Sequence, residues 1–440
     1  MSGSGLDTRQ FKPWPAGAWL VGGAVRDALL GAAPADLDWL VADPRAAALE
    51  LAALTGGSPF ELDAERGHWR VALPGGAVHD LAPPRPGAGS FEADLALRDL
   101  TLNAMALDAA GRLVDPLGGL ADLRAGRVRM TSRAALEADA VRPLRAARFA
   151  GTLGFALEAA TRAAVVELGA AQAAGARPLP AAERVGAELS AMLAAPRAAH
   201  AFQLLAELRL TRVYLPELEA ARGVDQGRGF HHLDVLDHSL EALDQLLHGF
   251  PDADAALRWA TLLHDVGKPA TAERGPAGQV TFHGHDRVGA ELTRERLRRL
   301  RLPNEVVERA TKLVRYHMLP LPRGERAARR FVHRRRELLP DLLKLMIADR
   351  EAARGPLASE AQRRAYRLAL GQVIALLEEP APPRPLLSGR EVMGLLGLEP
   401  GPRVGEALAL VAEARAVGDV RDAEEARALL LRYAEAQRWL

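Results

Sequence analysis

The chain has 440 residues, 49% of them hydrophobic, and a formal net charge of only +1. That length suggests three or four domains with ample material for their cores, and the near-zero charge excludes a chain that is strongly basic or acidic as a whole. Cysteine is absent, which removes disulfides, thiolate metal sites and cysteine nucleophiles and fits a reducing compartment.

Lysine stands only at 12, 268, 312 and 344, so nearly all positive charge is arginine, a bias that with abundant alanine reads as GC-rich coding. The chain opens without an apolar h-region and has no apolar run of membrane-spanning length. A cytoplasmic protein without membrane contact is expected.

Residues 18 to about 115 alternate strand-like and helix-like segments. Trp19–Gly22 reads as a strand that ends in Gly22-Gly23, and Val25–Leu30 as a helix with Arg26 and Asp27 in its first turns. Glycines at such a turn let backbone N–H groups approach a phosphate, and the helix N-terminus favours its charge. In the next strand, Asp38–Val41 with Asp36 before it, Asp36 and Asp38 alternate with Leu37 and Trp39 and share one face. Two carboxylates beside a phosphate cradle suit Mg²⁺ that also binds a triphosphate, whereas the plain alternative is a turn followed by a solvated strand.

Pro44–Thr55 reads as a helix, and Trp69–Leu73 and Ala77–Leu81 as strands. Asp80 is either a third carboxylate for the same cation or a surface residue at a strand end. Asp94 to Ala106, with Arg98, reads as a small-residue helix, and Asp115 and Asp122 as caps. Beyond about 120 the strands are expected to stop, with helices over 133–150, 158–176, 181–194 and 197–208. On the first of these, Asp139, Arg142, Arg145 and Arg148 step by three along one face. An Asp–Arg pair there can meet the edge of a base while the other arginines reach phosphates, or the set is an exposed ion-paired face. Glu183-Arg184 and Glu188 suggest an amphipathic helix with an intrahelical pair.

From 231 onward the chain reads as helical, with a Gly-containing excursion near 273–284. His238, His264-Asp265, His285, His317 and Asp349 are spread over these helices. Imidazoles and carboxylates so arranged can bind a divalent transition metal or Mg²⁺ and activate water against a phosphoester. Arginines crowd 294–301 and 323–336, as a nucleic-acid-binding face or as solvated helix faces. The Pro-rich stretch 379–385 reads as a linker to a last helical unit.

The ordered set Gly-Gly-x-Val-Arg-Asp, Asp-x-Asp, Arg-Asp-x-Thr-x-Asn-Ala, Asp-Pro-x-Gly-Gly, Asp-x-x-Arg-x-x-Arg and Glu-Arg-Val-x-x-Glu resembles the bacterial tRNA nucleotidyltransferase and poly(A) polymerase family, class II of the polymerase-beta-like nucleotidyltransferases. The His…His-Asp…Asp series resembles the HD phosphohydrolase domain. The resemblance implies an α+β nucleotidyltransferase head (a mixed sheet with helices) over 1–130. An all-α neck over 131–225, an HD domain over 226–378 and a helical tail over 386–440 would follow.

It implies Mg²⁺ on Asp36 and Asp38 with Asp80 beside them, and a triphosphate held by Gly22, Gly23, Arg26, Asp27 and Arg98. Asp139 and Arg142 would read the base, with Arg145 and Arg148 near the nucleotide. The HD metal would sit on His238, His264, Asp265, His285, His317 and Asp349. Ala138 and Pro143 depart from the family's base-reading motif.

The implied activity is template-independent addition of C-C or C-C-A to the tRNA acceptor end from CTP and ATP, with release of pyrophosphate. The short span from Asp80 to Arg98 resembles the CC-adding subgroup, in which a companion enzyme adds the A. Poly(A) or A-only addition is the alternative within the family. An HD phosphodiesterase with an RNA-binding head is the alternative of another class.

Overall fold

A mixed sheet with helices opens the computed structural model, which describes residues 8–34, 36–227, 233–276, 279–353, 360–380 and 385–439. Two units separate: Met1–Glu219 with Arg296–Leu302, and Ala220–Glu295 with Pro303–Leu440.

In the first unit the chain runs through β1 (Trp19–Val21), α1 (Gly23–Leu29), β2 (Leu37–Leu40), α2 (Pro44–Thr55), β3 (Ser58–Asp63), β4 (His68–Ala72) and β5 (Val78–Ala82). It continues through α3 (Phe91–Ala96), β6 (Ala106–Leu107) and β7 (Leu113–Val114). The strand order is β3-β4-β5-β2-β1-β6-β7. β2 and β5 are parallel, and the other neighbours are antiparallel. Leu20, Trp39, Val71 and Leu81 are fully buried, each contributing about 1.5–3 kcal/mol. α2 has local reasons for both its ends. The Asp43 carboxylate accepts from the Ala46 N–H, Pro44 opens the first turn, and Gly56 leaves it at φ 71°.

Several expectations need correction. β3 was not expected. The helix expected from Asp94 ends at Ala96, and a 3-10 turn follows at Thr101–Asn103. Strands also continue past residue 120. α4 (Gly119–Arg124) leads to β8 (Arg127–Val128), then α5 (Arg133–Glu137), α6 (Arg142–Leu153) and β9 (Ala156–Leu157), and β8 pairs with β9 in parallel. The segment expected to be all-α therefore contains β9. The helix expected over 133–150 is broken between α5 and α6, which puts Pro143 in the first turn of α6, where its missing N–H costs nothing.

The unit closes with α7 (Ala159–Ala173), α8 (Ala182–Ala194), α9 (Ala198–Glu207), α10 (Thr211–Tyr214) and α11 (Pro216–Glu219). α6 and α9 meet closely, because a Cβ on Gly151 would lie 2.5 Å from the Ala201 Cα.

The second unit carries α12 (Val235–Gly249), α13 (Ala255–Leu263), α14 (Lys268–Thr271) and the antiparallel pair β10 (Glu273–Arg274) and β11 (Val280–Thr281), which is the expected excursion. Then come α15 (His285–Arg299), whose residues from Arg296 belong to the first unit, α16 (Asn304–Tyr316), α17 (Glu325–Arg335), α18 (Leu339–Ala352) and α19 (Glu360–Glu378). Of the Pro-rich stretch, residues 381–384 lie outside the described residues. α20 (Gly389–Leu396), α21 (Pro402–Ala416) and α22 (Ala423–Ala436) enclose a cluster of their own around Val392, Ala407, Val411 and Leu430. Among the described residues no helix is long and apolar enough to cross a membrane.

Candidate active site and metal centre

In the first unit the chemistry gathers where β1 turns into α1. Gly22 is in a backbone conformation that side chains rarely adopt, φ 73° and ψ −131°. A Cβ there would stand 3.0 Å from Arg98 Nη1 and 3.5 Å from Asp38 Oδ2. The bare glycine thus leaves a recess between a guanidinium and a carboxylate. Asp38 is opposite Val21 on one side and Asp80 on the other, and Asp36 lies just before β2. Asp38 remains open to water, yet its carboxyl is pushed above the usual range by the protein packed around it. Asp80 and Asp36 add to this, and Arg98 opposes it. A cation would relieve that repulsion, so the donor set fits a divalent metal.

The arginines around the recess are each fixed. Arg26 Nε donates to Asp27 Oδ1 at 2.8 Å and its Nη1 to Asn103 Oδ1 at 2.6 Å. Arg98 Nη1 faces Gly22, while its Nε is buried without a hydrogen-bond partner. Asp94, fully buried, lies 3.6 Å from Arg98 Nε and accepts from Arg85 Nη1 at 2.5 Å. Arg145 Nε donates to Asp99 Oδ2 at 2.7 Å, and its Nη1 shares Glu188 with Arg148 Nε, at 3.1 and 2.5 Å. Arg26, Arg145 and Arg148 stand 4.7, 5.5 and 4.0 Å from the Phe149 ring centre, so one aromatic ring gathers three guanidiniums. Burial lowers the Arg26 pKa, and its proximity to Arg148 and Arg145 adds to that, though Asp27 resists. An anion is the natural occupant of such a concentration of charge.

Asp139 stands before α6 rather than on it. Its carboxylate takes a two-pronged bond from Arg184, at 3.0 and 2.6 Å, and accepts the Val141 N–H at 3.1 Å. Arg142 donates through Nη1 to the carbonyls of Leu97, at 3.2 Å, and Ala135. The intrahelical pair expected on α8 gives way to bonds between segments, since Arg184 goes to Asp139 and Glu188 to Arg145 and Arg148. Asp115 caps α4 through the Gly119 and Leu120 N–H groups, at 2.6 and 2.9 Å, as expected. Asp122 is instead buried on α4, where it binds Thr101, Arg127 and Arg129.

Sequence reasoning gave no site role to Arg70, Asp94, Asp99, Asn103 or Phe149. Arg70 on β4 grips Asp80, with Nε–Oδ1 2.6 Å and Nη2–Oδ2 2.7 Å. The available signal was a cation on a strand-like run with the same alternation as Asp80.

The second unit brings its six expected ligands together as two triads, His238–His264–Asp349 and Asp265–His285–His317. His238 is on α12, His264 ends α13, His285 begins α15, His317 ends α16 and Asp349 is on α18. His264, His285 and His317 each point Nδ1 at the carbonyl three residues back, at 2.8, 2.8 and 2.7 Å. That bond fixes the tautomer and leaves each Nε2 lone pair for a metal. His264 Nε2 is buried without a hydrogen bond, although Asp265 Oδ2 is 3.2 Å away. Burial alone would lower the His264 pKa, but Asp265 and Asp349 outweigh it and raise it to about 10. The buried Asp265 and the half-buried Asp349 demand positive charge here, and the donor set fits a divalent cation. The crowded arginines of α17 are largely paired: Arg329 with Glu325 and Glu379, Arg330 and Arg334 with Glu413, and Arg326 with Asp419.

Family profiles match residues 70–129 (poly A polymerase head domain), 154–222 (probable RNA and SrmB-binding site of polymerase A) and 229–354 (HD domain). An A-adding tRNA nucleotidyltransferase of Deinococcus radiodurans is 58% identical, covering 96% of this chain and 97% of its own length. A CC-adding tRNA nucleotidyltransferase of Thermus thermophilus is 46% identical over 95% of this chain and 94% of its own. The fold is similar to that of the Bacillus stearothermophilus CCA-adding enzyme in complex with CTP, with TM-score 0.63 and 24% identity, covering 96% of this chain and 94% of that one. The chain belongs to the tRNA nucleotidyltransferase family.

Proposed function

We propose that this chain adds nucleotide to the 3′ end of tRNA without a nucleic-acid template, from ATP or CTP, in the cytoplasm. The observation that carries the reading is the recess at Gly22, with Asp38 on one side and Arg98 on the other. Arg98 and Arg26 are suited to hold the triphosphate, and Arg145 and Arg148 bring further charge to the same region. Asp139 and Arg142 are read as the groups that meet the base edge, with Arg184 orienting Asp139. Asp36 and Asp38 would hold Mg²⁺, which when bound acidifies the primer 3′-hydroxyl and neutralises the phosphates. Asp38 would then orient that hydroxyl for in-line attack on the α-phosphate, with pyrophosphate leaving toward the arginines.

Within this reaction we favour addition of the terminal A, on the 58% identity to an A-adding enzyme across nearly the whole chain. Addition of C-C is the second reading, favoured by the short span between Asp80 and Arg98. Two tRNA transcripts, one ending at the discriminator base and one in C-C, separate the readings when supplied with labelled CTP or ATP. A single A on the C-C transcript alone is the expected product. Two C residues on the first transcript and no A on either assign C-C addition, and both activities together assign a full CCA enzyme. Activity that survives Asp38→Asn would overturn the head as the catalytic site. The second cluster is read as a metal centre of the HD type, held by the two triads.

A further inference from the structure

Across β4, β5 and β2 the register puts Arg70 opposite Asp80 and Asp80 opposite Asp38. Three charged side chains therefore form one row, with a cation at one end and the candidate metal carboxylate at the other. The Arg70 fork engages both Asp80 oxygens, at 2.6 and 2.7 Å. Its side chain is 33% exposed, and Asp80 is 30% exposed. A two-pronged guanidinium–carboxylate pair is the geometry that fixes both partners even when partly open to water, and here it occupies both oxygens that Asp80 could offer a metal. Asp80 and, more weakly, Asp36 and Asp38 also hold the Arg70 guanidinium above its ordinary pKa, so it stays a permanent charge beside all three carboxylates.

We propose that Arg70 is a positioning residue that withholds Asp80 from the metal, a fixed cation built into the sheet that leaves Asp36 and Asp38 as the metal-binding pair. The inference rests on the head being the nucleotidyl-transfer site. A guanidinium fixed on Asp80 disfavours a divalent cation on the same oxygens, because the two like charges repel at that distance. Asp80 instead serves as the tether that keeps Arg70 in the row. Adding one carboxylate ligand tightens a divalent site by charge count alone, so freeing Asp80 should be visible in metal affinity.

The test is a Mn²⁺ titration of the full chain, followed by the electron paramagnetic resonance signal of free Mn²⁺. The wild type is compared with Asp38→Asn, Arg70→Gln and the double variant Arg70→Gln/Asp80→Asn. Binding lost in Asp38→Asn is assigned to the head, which separates it from the histidine cluster. Arg70→Gln should bind at the head about tenfold more tightly, and the double variant should return to within about threefold of wild type. Unchanged or weaker binding in Arg70→Gln overturns the inference. A double variant about tenfold weaker than wild type also overturns it, because Asp80 would then already be a ligand. Arg70→Lys keeps the charge without the fork, so it should shift in the same direction by less; it replaces Arg70→Gln if that variant does not fold. If Asp38→Asn removes no Mn²⁺, the reading of the head itself fails, a result distinct from the others.

Discussion

Replacing Gly22 by Ala tests the recess directly. The residue has φ 73° and ψ −131°, where an L side chain costs on the order of 1–3 kcal/mol. The new methyl would lie 3.0 Å from Arg98 Nη1, so the guanidinium must move by a few tenths of an ångström. Arg98 is largely buried beside Asp94, which leaves it little room to retreat. The expected result is a loss of about 1–3 kcal/mol in urea unfolding. Single-turnover nucleotide incorporation should fall by about 10²-fold, the scale of a small misplacement of a substrate-binding group. Gly23→Ala is the matched control. Gly23 lies in α1, and a Cβ there meets Arg26 Nη2 only at 3.5 Å, ordinary contact, so its urea midpoint should be unchanged or slightly raised. If Gly22→Ala unfolds at the same urea concentration as Gly23→Ala and the wild type, the conformational and steric argument for the recess is wrong.

Gly151→Ala should destabilise the chain by about 1–3 kcal/mol in chemical denaturation despite the higher helix propensity of Ala, because its Cβ would press on the Ala201 backbone; a stabilised variant would refute the close α6–α9 approach. Burial works against ionisation of Asp99, yet Arg145 and Asn103 hold its carboxyl below the ordinary range. Its charge therefore contributes stability above the unfolded-state value of about 4, and that contribution is lost as pH falls toward the lower folded value. The stability gap between wild type and Asp99→Asn should be full at pH 7 and narrow progressively below about pH 4, as read from urea midpoints. Divalent metal at about 100 times its Kd should stabilise the second unit by about 2.7 kcal/mol in thermal unfolding, and His264→Ala should abolish the shift. An equal shift in that variant would place the metal elsewhere.

Legibility in the sequence followed from how local each cause was. α2 could be read to the residue because Asp43, Pro44 and Gly56, which set its ends, lie beside it in the chain. The six candidate ligands of the second unit were visible through the resemblance of the His…His-Asp…Asp series to the HD domain, and the fold gathers them as two triads. β3 was missed because its side chains are largely exposed, so no apolar alternation marks it. The break between α5 and α6 was hidden by the regular three-residue steps of Asp139, Arg142, Arg145 and Arg148, although Pro143 was its trace. Arg184 and Glu188 were read as local partners when their bonds run to Asp139 and to Arg145 and Arg148, forty or more positions apart in each case. Arg70 shows the same limit, because only the β4–β5 register puts it opposite Asp80.

The strand order puts β2 fourth of the seven, with hydrogen-bonded neighbours on both sides. The outer strands, β3 and β7, can fray or accept insertions without changing the register between Asp38 and Asp80. Amide exchange should therefore run inward from both margins, and the strand that bears Asp38 should be among the last to open. The arrangement lets the sheet drift at its borders over evolutionary time while the register of Asp38 and Asp80 stays in place.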